Sequence, residues 1–353
     1  MQKALRIVFR VVICLVIIAI LFLGLITAAE YRPKERETLA SASPVSVPLQ
    51  AGQSIRILSW NTGYGALGDN ADFFMDGGRG VITADSPRVL ANLGGIAEFI
   101  ASENPDLVLL QEVDLSSKRS FYINQTKFYR DRFPDCQSSF AYNYRALYVP
   151  YPLPTLGKVE SGLQTLSRFG FREAERISLP CPFSWPVSAV NLKRCLLVTR
   201  IPVSDTDKEL VLVNLHLEAY DSGEGKAEQT RILVRFMQEE YDKGNYVIAG
   251  GDFNQLFSNI DASAYPVLEN RWQPGLIDAS SFSASFSLLM DPSSPTCRSL
   301  DQPYAGAERD GFQYYMIDGF IVSDNVSVAS VETRNLDFVC SDHNPVILTV
   351  SLN

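Results

Sequence analysis

Four short apolar runs in this chain each lead to a side chain with a polar head. Ile55 to Trp60 runs into Asn61, Asp106 to Leu110 into Glu112, the run Glu209 to Leu217 carries His216 near its end, and Tyr246 to Ala249 feeds Asp252 through Gly250 and Gly251. Runs of this length without helical spacing read as strands. Between them lie helical patterns. Ser86-Pro87 reads as an N-cap followed by proline at the first helical position. Val89, Leu90, Leu93, Ile96, Ala97 and Ile100 then recur at helical spacing until Asn104-Pro105. Glu224 to Tyr241 is a second expected helix, and Leu192 to Ile201, Met316 to Val322 and Val346 to Leu352 are further expected strands. Strands interleaved with helices predict an α/β domain. A sheet of that class opens its site at strand ends, where this chain places its polar residues.

The chain has only two histidines, His216 and His343. Histidine moves protons most readily near neutral pH, and both lie beside carboxylates and carboxamides. Asp318 falls within the apolar strand Met316 to Val322, where an unpaired carboxylate is costly, so it is expected to pair with His343. Asp252 and Asn254 are two apart, which in extended backbone puts both on one face. Glu112 offers an oxygen to a hard cation such as Mg²⁺, which takes one or two carboxylates plus waters and phosphate oxygens. Taken singly, each residue also has an ordinary structural explanation.

In order along the chain, six segments resemble the motif series of the endonuclease/exonuclease/phosphatase family, the deoxyribonuclease I-like phosphodiesterases: Leu58-Ser59-Trp60-Asn61, Leu110-Gln111-Glu112, Asn214-Leu215-His216-Leu217, Gly250-Gly251-Asp252-Phe253-Asn254, Ile317-Asp318-Gly319 and Ser341-Asp342-His343-Asn344-Pro345. The resemblance implies a four-layer α/β sandwich of two packed sheets flanked by helices. It implies Mg²⁺, with Mn²⁺ or Ca²⁺ as alternatives, at Glu112 with Asn61 and Asp342 close by. Asp252, Asn254, His216 and the pair His343–Asp318 become the catalytic residues. The identity of the general base stays open. Asn143, Arg145, Arg119 and Arg168 are expected contacts of the substrate phosphate. Histidine at 216, where repair endonucleases of the family carry tyrosine, resembles the deoxyribonuclease, sphingomyelinase and inositol phosphatase branches. A silent scaffold would be marked by lost motif residues, and none is lost.

Val11 to Ala29 contains no charged residue, and at ~1.5 Å per residue it just spans a ~30 Å hydrocarbon core. Thr27-Ala28-Ala29 resembles a small-residue cleavage site, so a cleaved signal is the alternative to an anchor. The expected organisation is a cytoplasmic tail at 1–10, a membrane anchor at 11–29, a linker at 30–53 containing Pro33, Pro44 and Pro48, and an extracytoplasmic catalytic domain at 54–353. The odd number of cysteines beyond Cys14 leaves one or two disulfides and buried thiols as alternatives. The net charge of −9 disfavours long-range attraction of nucleic acid. The expected partners are the bilayer, through the N-terminal helix, and a phosphoester substrate: a lipid headgroup ester, a small phosphorylated metabolite or, less favoured, nucleic acid.

Overall fold

Period-two alternation along the strands sorts their side chains into layers. The computed structural model describes residues 2–42, 45 and 47–353, so Pro44 lies outside the described residues. The α-helices are α1 Gln2–Ala28, α2 Ser86–Glu103, α3 Gln125–Arg132 and α4 Glu224–Asp242. The strands are β1 Arg36–Thr38, β2 Ser41–Ala42, β3 Ser54–Asn61, β4 Leu107–Asp114, β5 Gln137–Val149, β6 Gly157–Ser167, β7 Glu173–Ser178, β8 Cys195–Pro202, β9 Glu209–His216, β10 Tyr246–Asp252, β11 Gln255–Phe257, β12 Gly275–Ile277, β13 Phe286–Leu289, β14 Cys297–Arg298, β15 Tyr314–Tyr315, β16 Asp318–Ser323, β17 Val326–Thr333 and β18 Val346–Leu352.

Two seven-stranded sheets result, ordered β1-β7-β8-β9-β10-β16-β13 and β17-β18-β3-β4-β6-β5-β2. Ile55 and Ile57 of β3, Leu107 and Leu109 of β4, Leu210 and Leu212 of β9 and Ile248 of β10 share the apolar layer between the sheets. Their alternates face outward. Leu58, Trp60, Val108 and Leu110 pack with Val89, Leu93 and Ile96 of α2 and Tyr129 of α3. Val211, Val213, Val247 and Ala249 pack with Leu233, Phe236 and Met237 of α4. This is the expected four-layer arrangement.

Pairing brings the polar strand ends together. β3 and β4 are parallel with Asn61 opposite Gln111, and β9 and β10 are parallel with His216 opposite Asp252. β16 runs antiparallel to β10 and sets Asp318 opposite Asp252. A Cβ on Gly251 would lie 2.0 Å from the Leu215 carbonyl oxygen; glycine there lets β10 close on β9.

Two local expectations change. Asp85, not Ser86, caps α2, its side chain accepting from Arg88 N–H. Asp318 begins its strand instead of lying mid-strand, because Met316 and Ile317 pack before the sheet into two separate apolar clusters. Within the expected linker, β1 pairs with β7 and β2 with β5, extending an edge of each sheet. The six cysteines are free thiols.

A buried ion pair ties α4 to the sheet. Arg200 donates to both Glu240 oxygens at 2.9 and 2.7 Å, and Lys243 and Asn245 add donors. Burial alone would raise the Glu240 carboxyl, but these donors hold it at about 2, below its ordinary 4.5. A depressed folded value contributes stability that is present above the ordinary value and lost as pH falls toward the folded one. Glu240→Gln is therefore expected to cost ~2–3 kcal/mol at pH 7 by urea unfolding, with the deficit shrinking near pH 3. A pH-independent deficit would assign the loss to packing instead.

Candidate active site

Glu112 and Asn143, proposed from sequence as a cation ligand and a phosphate contact, both sit at β-bulges. β4 gains one residue between Leu110 and Val113 relative to β6, and Glu112 there adopts φ +55. β5 gains one between Tyr142 and Tyr144, which is Asn143. A bulge re-aims side chains out of the regular alternation. Both residues turn into one cavity of about 550 Å³ that also exposes Asn61, His216, Asp252, Asn254, Asp342 and His343.

Asp252 is the hub. Its Oδ2 accepts from Asn61 Nδ2 at 3.0 Å and lies 3.3 Å from His216 Nε2. Its Oδ1 accepts from the Asn254 backbone N–H at 2.9 Å. Burial and the Asp318 charge push its carboxyl up to about 6, against the opposing effect of His343. Asn254, at φ +52, anchors its side chain by donating to the Leu217 carbonyl.

His343 Nδ1 donates to Asp318 Oδ2 at 2.8 Å, the pairing expected from sequence. Burial disfavours the charged ring, but Asp318, aided by Cys297, reverses this and raises its pKa well above the ordinary 6.5. His216 goes the other way. Burial, then the positive charges of Arg194, His343 and Arg119, lower it well below that value. One site thus holds a charged imidazole and a neutral one.

Among the described residues, two groups bring three ligand atoms close together: Cys297–Asp342–His343 and Asp252–Asp318–His343. The Cys297 thiol is pushed up to about 12 by burial, which disfavours the thiolate a soft metal requires. In the second group the His343 Nδ1 is committed to Asp318. A better fit to a hard cation is the oxygen pair Glu112 and Asp342. Burial raises Asp342 to about 7, and the Glu112 charge adds to the shift; a divalent cation would relieve both effects. Asn61 touches Glu112 from the side, its Nδ2 lying 3.4 Å from Oε1 while its Oδ1 accepts from Gly63 N–H.

The four expected phosphate contacts divide. Asn143 and Arg119 line the cavity, although Arg119 is already held by Asp114 at 3.0 Å and stacked 3.6 Å over the Tyr64 ring. Arg145 points to the exterior and pairs with Glu160. Arg168 bonds Asn104 just past the end of β6 that pairs with the start of β4, the opposite end from Glu112.

The sequence reading missed Arg194. It is buried in the cavity wall, 3.7 Å from Glu218, and its Nε and Nη1 have no hydrogen-bond partner. Unmet donors on a buried guanidinium fit an anionic occupant. It also missed Tyr220, which donates to Asp76 at 3.2 Å on the cavity rim. A basic residue opening a strand, as Arg194 does just before β8, gives no sequence signal of its direction.

The profile of the Endonuclease/Exonuclease/phosphatase family matches residues 58–343. Among solved structures, an endonuclease/exonuclease/phosphatase from Beutenbergia cavernae superposes with TM-score 0.58 at 20% identity, covering 85% of this chain and 72% of that one. TDP2 of D. rerio with a single-strand DNA product gives 0.52 at 16% identity, covering 85% and 99%. The human Nocturnin catalytic domain with bound sulfate gives 0.52 at 15%, covering 89% and 98%. At these identities the likeness is one of fold. No curated protein matches the chain.

Proposed function

This chain belongs to the endonuclease/exonuclease/phosphatase family, whose members are metal-dependent phosphoric ester hydrolases, and on that premise we propose that it is a membrane-anchored enzyme using Mg²⁺ for in-line attack of water on phosphorus. The observation that carries this reading is the meeting of Asp252, His216, the His343–Asp318 pair and Glu112 on one cavity floor.

In this reading Glu112 and Asp342 hold the cation and Asn61 orients Glu112. The cation, when bound, supplies charge that stabilises the phosphoryl oxygens. Asp252, with a carboxyl near 6, accepts the proton of the attacking water, since a base works best with a pKa close to the working pH. Asn254 fixes that carboxylate through its backbone N–H. The His343 imidazolium donates toward a phosphoryl oxygen, with Asp318 holding the ring and its charge. Neutral His216 serves the leaving oxygen. Asn143 and Arg194 face the substrate phosphate.

Helix α1 is long and apolar enough to cross a membrane. Lys3, Arg6 and Arg10 precede its uncharged run and Arg32, Lys34 and Arg36 follow it among Glu30, Glu35 and Glu37; the proposed orientation places the tail inside and the catalytic domain outside. The acidic balance favours a lipid or small phosphoester over nucleic acid.

The test is hydrolysis of bis-p-nitrophenyl phosphate by the full chain, with p-nitrophenyl phosphate as the monoester arm. A chelator is expected to reduce turnover at least ~100-fold, with Mg²⁺ restoring it and Mn²⁺ or Ca²⁺ compared alongside. Turnover indifferent to chelator would overturn the cation reading.

A further inference from the structure

The cavity has two chemically different halves. Its floor carries the catalytic residues. Its opposite wall is apolar and includes the last turns of α1: Phe22, Leu23 and Ile26 face the same space as Val149, Tyr151 and Val187 of the catalytic domain. The helix that would anchor the protein therefore also walls the substrate cavity.

Contacts fix where this wall sits along α1. The Phe22 ring meets Tyr148 edge-on at 6.3 Å, and Trp185 Nε1 donates to Thr27 Oγ1 at 2.9 Å. Phe22 precedes the last helical residue, Ala28, by six positions, about 9 Å along the axis. When α1 spans a bilayer, the end of β5 bearing Tyr148, the loop that follows it and the loop bearing Trp185 are carried to the depth of the interface. Those loops are dressed for it. Leu153 is 86% exposed, Tyr151 70% and Trp185 58%. Bulky apolar side chains clustered in the open mark a membrane or partner surface, and Trp and Tyr favour the bilayer interface. The apolar wall is continuous with that surface through Tyr151 and Val187.

Resting on the membrane-anchored hydrolase reading above, we infer that the substrate is a membrane-resident amphiphile. Its hydrocarbon chain occupies the apolar half of the cavity, between α1 and the segments 147–156 and 184–192, and its phosphoester reaches the catalytic floor. Water adds to phosphorus, one P–O ester bond breaks, and the leaving oxygen takes a proton.

The experiment uses the full chain in a non-phosphorylated detergent, with 4-nitrophenyl alkyl phosphates from methyl to octyl and nitrophenol release as the readout. Each methylene buried in the apolar half adds about threefold to kcat/KM, so the octyl ester is expected to exceed the methyl ester by at least ~100-fold. Val187→Asp is expected to cut the octyl-to-methyl ratio at least tenfold, on the order of one charge placed in an apolar wall. A flat series with the methyl ester still hydrolysed overturns this inference and leaves the hydrolase reading standing. A rise that Val187→Asp leaves intact reports partition into micelles and also overturns it. No hydrolysis of any ester brings down both.

Discussion

Asp252→Asn is expected to lower kcat for bis-p-nitrophenyl phosphate about a thousandfold while moving stability by no more than ~1 kcal/mol. The substitution keeps the volume of a side chain that is only 1% exposed. It removes the negative charge that faces Asp318 across the β10–β16 pairing and that burial already disfavours. The cost is one acceptor and the attraction of the His343 ring, whose Nε2 lies 3.7 Å from Asp252 Oδ2. The amide oxygen can still receive the Asn254 N–H, while the amide nitrogen turns toward Asn61 and His216. The neutral ring of His216 can exchange tautomers and accept. Loss of like-charge repulsion then roughly cancels the loss of one hydrogen bond and of that attraction. Chemistry has no such compensation, because an amide cannot take a proton from water. The measurement is kcat beside the urea midpoint on the same preparation. A folded variant within tenfold of the wild type would remove Asp252 from the chemical step.

The strand ends were readable because burial on both faces makes β4, β9 and β10 largely apolar, so polar side chains gather at their C-terminal ends, as Gln111 and Glu112, Asn214 and His216, and Asp252 do. The Asp318–His343 pair was readable for a related reason: a carboxylate among apolar neighbours requires a partner, and few were on offer. What escaped is geometry created by single residues. The bulge at Asn143 reverses the alternation of β5, so Asn143 enters the cavity and Arg145, two positions later, pairs outside with Glu160. An unbroken strand would have put both on one face. Arg168 failed for a topological reason: β6 runs antiparallel to β4, so its C-terminal end lies away from Glu112. Arg194 was invisible because it follows the aperiodic segment 184–192, and nothing in the sequence says that it enters the cavity wall. The segments 64–85, 142–160 and 280–312, which the motifs do not reach, supply cavity residues such as Phe74, Tyr151 and Leu300. Their apolar character toward α1 could not be foreseen, because the helix and those segments are far apart in the chain.

Asp318→Asn separates a catalytic role of His343 from a structural one by the direction of two pH trends. In the wild type the raised pKa of His343 keeps the ring charged through neutral pH, and the part of the rate that depends on that charge is lost only as pH rises through the raised value. Without the Asp318 charge, burial acts with less opposition and the ring becomes neutral at pH 7. The variant is expected to fall about 100-fold or more in kcat at pH 7.5. Its activity relative to wild type should recover toward pH 5, where the ring regains its proton; loss of the Asp318 charge also lowers the Asp252 carboxyl, which keeps more of that base ionised in acid and acts in the same direction. Stability runs the other way. A group whose folded pKa is raised contributes stability that is fully present below its unfolded value near 6.5 and is lost as pH rises through the folded value. Asp318→Asn should therefore be most destabilised in acid and least so at alkaline pH. Activity recovering where stability is worst cannot come from a merely loosened fold. A variant-to-wild-type rate ratio that stays constant from pH 5 to 8 would show that Asp318 does not act through the proton on His343.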